Sequence, residues 1–130
     1  MSTPVRVLVE RVYAALGAGD EAGLRTLLAE DFVQTLSLGL PDALGGVNVG
    51  PDAAIRDGWW AIGARFRVLA EPERWLPSGE DVLVVTGTYR GTARATKAPV
   101  EAAFAHVWTA REGRLVALEQ ITDTARWAPS

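Results

Sequence analysis

The stretch that most constrains this chain is residues 101–122, EAAFAHVWTAREGRLVALEQIT, in which two runs with strand-like residues are separated only by the step Ala110-Arg111-Glu112-Gly113. A step that short leaves room for a turn and nothing else, so Glu101 to Thr109 and Gly113 to Thr122 are expected to pair directly as antiparallel strands. Upstream, DVLVVTGTY (Asp81 to Tyr89) reads as a strand, and Val68 to Trp75 as another. The second half of the chain is therefore a sheet.

The first half has a different period. Val5, Leu8, Val9, Val12, Ala15 and Leu16 recur at three- and four-residue spacing after Pro4, with Thr3 or Ser2 as cap, and predict an amphipathic helix ending near Gly17 or Gly19. Asp20 reads as the cap of a short second helix carrying Leu24, Leu27 and Leu28, which finishes before Asp31. Phe32 to Leu38 is strand-like, and GLPDALGGVNVGP after it reads as a long irregular loop. Gly50-Pro51-Asp52 opens a third helix with Ile55, Trp59, Ile62 and Phe66 along one side. Helices followed by antiparallel strands predict an α+β domain, with the helices on one face of a curved sheet.

The 130 residues suit one domain, 1–130, with one core. Residues of hydrophobic type make up 48% and charged residues 22%, which argues against disorder. The formal net charge of -3, with both signs interspersed, argues against a nucleic-acid partner. Arg90, Arg94 and Lys97 are the only local basic cluster, and they read as a solvated hairpin tip. Without cysteine there is no disulfide, thiol nucleophile or thiolate metal site. With one histidine and no carboxylate cluster, no metal site is expected. The charges at Arg6, Glu10 and Arg11 interrupt the first apolar pattern, and no run is long enough to span a bilayer, so a cytoplasmic protein without membrane contact is expected. P-loop, G-x-G-x-x-G, H-E-x-x-H and G-x-S-x-G motifs are all missing.

Alternation places Phe104, His106 and Trp108 on one side of their strand. This large set, with the only histidine at its centre, suits a cavity wall. On the last strand Ala117, Glu119, Ile121 and Asp123 share one face, and Val116, Leu118, Gln120 and Thr122 the other. Both faces mix polar and apolar groups, so periodicity does not choose the inward one. If Asp123 faces inward, Glu119 and Ile121 do too. Histidine with a nearby carboxylate is a usual acid/base pair, although a lone strand histidine is often a bonded core residue and Asp123 before Thr124 is often a cap. Trp60, Tyr89 and Asp31 are further candidates for the pocket wall or mouth, while Gln34 and Asn48 could orient a carbonyl.

VEAAFAHVWTAREGRLVALEQITDTARW, DVLVVTGTYRG and LPDALGGVNVGPDAAIRDGWW resemble the SnoaL-like polyketide cyclases and ketosteroid isomerase-like proteins of the nuclear transport factor two-like superfamily. That resemblance implies a cone of curved antiparallel sheet around the N-terminal helices, enclosing one deep apolar pocket. It implies acid/base ring closure without metal or organic cofactor, with Asp123 in TDT as acid/base and His106 in AHVW beside it. Trp60, Tyr89, Phe104, Trp108, Ile121, Glu119 and Asp31 would then contact a small apolar, carbonyl-containing molecule. A homodimer is also implied. Tyr13 lies on the first helix, as the isomerase tyrosine does, but the residues around it do not carry that role over. Three alternatives stay open: a non-catalytic binding or dimerisation module, an epoxide hydrolase-like enzyme using Arg65 or Arg67 with Asp123, and a detoxifying enzyme with the same pocket.

Overall fold

The structure is a computed structural model that describes residues 3–127. Helix α1 (Val5–Ala18) buries Val5, Leu8, Val9, Val12 and Ala15, the stripe its spacing predicts. It stops where Gly19 turns left-handed (φ 65°) and its N–H reaches the carbonyls of Ala15 and Leu16. Asp20 caps α2 (Glu21–Leu27), its carboxylate accepting from the Gly23 N–H at 2.9 Å. The start of α1 differs from expectation. Pro4 is its cap residue, among the described residues no side chain caps it, and Ser2 lies outside them.

Strand β1 (Leu28–Leu36) follows α2 without a loop, because Leu28 is already extended and buried. The Gly/Pro-rich segment is more ordered than its composition suggests: it holds a 3₁₀ turn (Pro41–Ala43) and a short strand, β2 (Gly46–Val49), that pairs with β1. Helix α3 spans residues 51–65 and is π-helical over Ala54–Trp59. It runs directly into β3 (Phe66–Ser78), followed by β4 (Val82–Ala93), β5 (Pro99–Arg111) and β6 (Arg114–Thr122).

The six strands form one curved, open sheet in the order β2-β1-β6-β5-β4-β3. All neighbours are antiparallel except β1 and β6, which run parallel, so the sheet is not purely antiparallel. No tight turn links β1 to β6, and the chain between them is long enough for a crossover of that sense. The β5–β6 turn is as short as the sequence requires: Glu112 (φ 51°) and Gly113 (φ 77°) make the two left-handed residues of a two-residue hairpin loop.

The helices cover the concave face of the sheet. The stripe of α1 packs with Leu24 and Leu27 over Leu83, Val85, Trp108, Leu115 and Leu118, each buried Val or Leu side chain contributing about 1.5–3 kcal/mol. After β6, the 3₁₀ turn Thr124–Arg126 brings Trp127 back over the sheet edge against Phe66 and Tyr89, both at 5.1 Å between ring centroids. The basic residues do not converge on a site. Arg90 pairs with Glu71 at 2.7 Å, the Arg94 Nε donates to the Gly63 carbonyl at 2.7 Å, and Lys97 sits in the left-handed turn after β4. No helix among the described residues is long and apolar enough to cross a membrane.

Candidate functional site

Between the concave sheet and the helices lies a cavity of about 170 Å³. Tyr13 and Leu16 of α1, Trp59, Trp60 and Ile62 of α3, Val68 and Leu69 of β3, and Trp127 form much of its wall. The polar floor comes from Tyr89 on β4, His106 and Trp108 on β5, and Gln120 on β6. Among the described residues no Asp, Glu, Lys or Arg lines it.

Register assembles this floor. His106 pairs with Val85 on one side and with Gln120 on the other, so all three side chains point inward. Tyr89 stands four residues beyond Val85 along β4, and Gly87 between them lets the β3 backbone and the Phe104 ring approach; a Cβ on Gly87 would lie 2.1 Å from the Glu71 carbonyl oxygen and 2.8 Å from Phe104 Cζ. Phe104 stacks on the imidazole (4.1 Å, 22° between planes) and packs against Tyr89 at 4.7 Å. Phe104 thus fixes the histidine from beside the cavity without lining it.

The polar groups are joined into one chain. Tyr13 Oη is hydrogen-bonded to His106 Nδ1 at 2.7 Å, and Tyr89 Oη to His106 Nε2 at 2.6 Å. Trp108 Nε1 donates to Tyr13 Oη at 3.2 Å, and Gln120 Nε2 donates to Tyr89 Oη at 2.9 Å. Gln120 is oriented in turn, because its Oε1 accepts from the Ser37 N–H at 3.3 Å and its carbonyl from the Ser37 hydroxyl at 3.0 Å.

Every member of the chain is uncharged at neutral pH. Burial lowers the His106 pKa to about 3, and among the described residues no carboxylate lines the cavity to oppose it. A shift of that size makes the imidazolium roughly 5 kcal/mol less accessible than in water. Burial also pushes both tyrosine hydroxyls above their ordinary range, so they remain protonated donors.

A neutral imidazole carries one N–H, and each tyrosine carries one O–H. These three hydrogens serve only two links, Tyr13–His106 and His106–Tyr89. If Nε2 is protonated, it donates to Tyr89, Tyr13 donates to Nδ1, and the Tyr89 hydrogen is left over. If Nδ1 is protonated, the Tyr13 hydrogen is left over. In both tautomers one hydroxyl hydrogen remains for an acceptor in the cavity that both tyrosines line.

The residues expected at a site divide accordingly. The structure brings His106, Tyr89, Trp108 and Trp60 to the cavity, with the Trp60 Nε1 donating to Glu21 at the surface (3.2 Å). Asp123 does not reach it: its side chain is exposed, it stands at the start of the closing 3₁₀ turn, and its N–H bonds the Ala103 carbonyl at 3.1 Å. With Gln120 inward opposite His106, alternation turns Glu119, Ile121 and Asp123 outward; Glu119 is exposed and Ile121 is 51% exposed. Asp31 is also exposed and forms an ion pair with Arg111 at 2.9 Å. Gln34 and Asn48 bond each other at 2.8 Å away from the cavity. Among the described residues no group of three His, Asp or Glu side chains could hold a metal ion.

Sequence reasoning gave Tyr13 and Gln120 no role. Tyr13 sits directly after Val12 on the flank of the α1 stripe, a position that permits either solvent or cavity. Gln120 lies between Leu118 and Thr122, and a glutamine in an otherwise inward apolar row is the kind of signal that marks a buried polar partner.

A profile of the SnoaL-like domain matches residues 9–118 of the chain. Among solved structures, an NTF2-like protein from Burkholderia thailandensis E264 is 26% identical with a TM-score of 0.85, over 95% of this chain and 94% of that one. An NTF2-like protein of unknown function from Burkholderia pseudomallei K96243 is 31% identical with a TM-score of 0.83, over 92% and 91%. IdmH from Streptomyces antibioticus, a proposed polyketide cyclase, shares the fold at 24% identity and a TM-score of 0.78, over 93% of each chain. No curated protein matches the chain significantly.

Proposed function

For a chain that belongs to the SnoaL-like domain family of the NTF2-like superfamily, we propose an enzyme that binds a small, apolar, carbonyl-bearing molecule in the cavity and promotes a proton shift beside the carbonyl. Ring closure or isomerisation would follow, with no cofactor. The observation that carries this reading is the one hydroxyl hydrogen left over from the Tyr13–His106–Tyr89 chain.

A fixed donor of this kind bonds a ground-state carbonyl and bonds an enolate-like oxygen more strongly, which is the condition for lowering a barrier. The apolar walls exclude water that would compete for the same oxygen. A single donor of this type is worth about 10²–10³ in rate in other enzymes. In this reading His106 assists by holding both hydroxyls, and Asp123 has no role because it lies outside the cavity.

The test is the infrared carbonyl stretch of a one-ring enone bound to the protein. The expected result is a shift to lower frequency than the same probe has in an apolar solvent. A bound probe with the frequency it has in an apolar solvent overturns the reading.

The absence of a carboxylate from the lining favours one other reading, a pocket that binds without chemistry. Binding with the frequency shift but with no conversion of any tautomerisable probe would select it. A homodimer through the outer sheet face is also proposed, supported by the exposed Val47, Val49 and Ile121 there. Sedimentation at a single monomer mass would dismiss it.

A further inference from the structure

We infer that Tyr13, His106 and Tyr89 form a two-ended proton relay, and that its substrate is an uncharged carbonyl compound with one ring enclosed in the cavity. This inference rests on the reading above, that a carbonyl oxygen meets the spare hydroxyl.

Both ends of the chain open onto the same cavity, and the histidine in the middle is bonded through both of its nitrogens. Trp108 and Gln120 each donate to one hydroxyl oxygen, whichever way the hydrogens in the chain point. The heavy atoms therefore stay in place while the hydrogens move. Among the described residues no carboxylate or amine lines the cavity, so a proton that leaves carbon has its nearest built acceptor in one of these hydroxyl oxygens.

In the first step the C–H bond beside the carbonyl breaks and its proton forms an O–H bond with the first tyrosine, whose own proton passes to the adjacent nitrogen of His106. The N–H on the other nitrogen passes to the second tyrosine, and the spare hydroxyl proton of that residue goes to the carbonyl oxygen. The substrate becomes its enol, no group ends charged, and the imidazole changes tautomer.

The second step runs in reverse. The first tyrosine gives its now spare proton to a different carbon, and the second takes back the enol proton. In ring closure the enol carbon attacks a second carbonyl instead, whose oxygen receives that proton. Either outcome restores the starting tautomer, so isomerisation or ring closure completes the cycle. The hydrogen taken from the substrate is the one returned to it.

The cavity sets the size. At about 170 Å³ it is close to the roughly 150 Å³ of an apolar cavity that holds one benzene. One six-membered ring fits inside.

The test is conversion of the β,γ-unsaturated cyclohexenone to its α,β-conjugated isomer, run in D₂O with the whole chain. The expected result is conversion with the substrate's hydrogen retained at the new carbon. Tyr13→Phe, Tyr89→Phe and His106→Gln should each lower the rate by about 100-fold or more. The carbonyl frequency shift should persist in each single tyrosine variant, because one hydroxyl and the imidazole still supply a spare donor.

The relay is overturned by full solvent label in the product, by a single tyrosine variant that converts at the wild-type rate, or by wild-type protein that shifts the carbonyl but converts nothing. Loss of the frequency shift in the wild type removes the underlying reading instead, so the two failures are distinguishable.

Discussion

Gln120 donates its Nε2 hydrogen to the Tyr89 hydroxyl at 2.9 Å while its Oε1 is held by the Ser37 N–H, so a loop beyond β1 fixes the position of a tyrosine on β4. Gln120→Leu would leave the Ser37 N–H without that acceptor and the Tyr89 oxygen without one donor. A stability loss of about 1–3 kcal/mol is expected, since the orphaned group is part-buried. Chemical denaturation measures it. The carbonyl shift of a bound enone should also shrink, and a loss of stability alone would show that Gln120 serves only the fold.

His106 should make the protein sensitive to acid. The unfolded chain binds a proton at this residue near pH 6.5, whereas the folded site resists protonation until about pH 3. The groups bonded to the imidazole are the uncharged Tyr13 and Tyr89. Between those pH values the unfolded state holds the extra proton, so the stability contributed here is complete above pH 6.5 and lost as pH falls. The slope is up to about 1.4 kcal/mol per pH unit. Surface carboxylates add slopes of their own, but His106→Gln removes this one. Parallel stability profiles for wild type and variant between pH 6 and pH 4 would contradict the assignment.

The inward face of β6 was not legible for a physical reason. The Glu112–Gly113 turn pairs Arg111 with Arg114 and Ala110 with Leu115, and continuing that register would set His106 opposite Glu119. A register shift between Thr109 and Ala110 moves the pairing by one residue, to Thr109–Ala117 and His106–Gln120. Such a slip exchanges the two faces of a strand. Glu119, Ile121 and Asp123 go outward for that reason, and Gln120 comes in. The α1 stripe and the β5–β6 hairpin were readable because each depends on local spacing, whereas β2, inside the Gly/Pro-rich segment, was not. Tyr13 belongs to the site through a contact 93 residues distant in sequence, which no local pattern encodes.

Asp123 offers a direct check on that register. As an exposed residue without a side-chain hydrogen bond to the closing turn, it should tolerate Asp123→Asn within about 0.5 kcal/mol. The carbonyl frequency of a bound enone should not move. A displaced frequency would mean that the carboxylate reaches the ligand and that the register along β6 is wrong.

Gly58 lies in the π-helical part of α3, directly over the buried Gln34 amide. Replacing a helical glycine with alanine ordinarily stabilises by up to about 1 kcal/mol. Here the new Cβ would lie 1.9 Å from Gln34 Oε1, the atom that accepts the Asn48 hydrogen bond. The amide has no open side to move into, being 0% exposed. Gly58→Ala should therefore destabilise, by about 1–3 kcal/mol, the usual range for overpacking. The double-variant cycle gives the decisive measurement. In a Gln34→Ala background the obstruction is gone, and Gly58→Ala should become neutral or stabilising. An equal loss in both backgrounds would place the cost in the helix backbone instead of the Gly58–Gln34 contact.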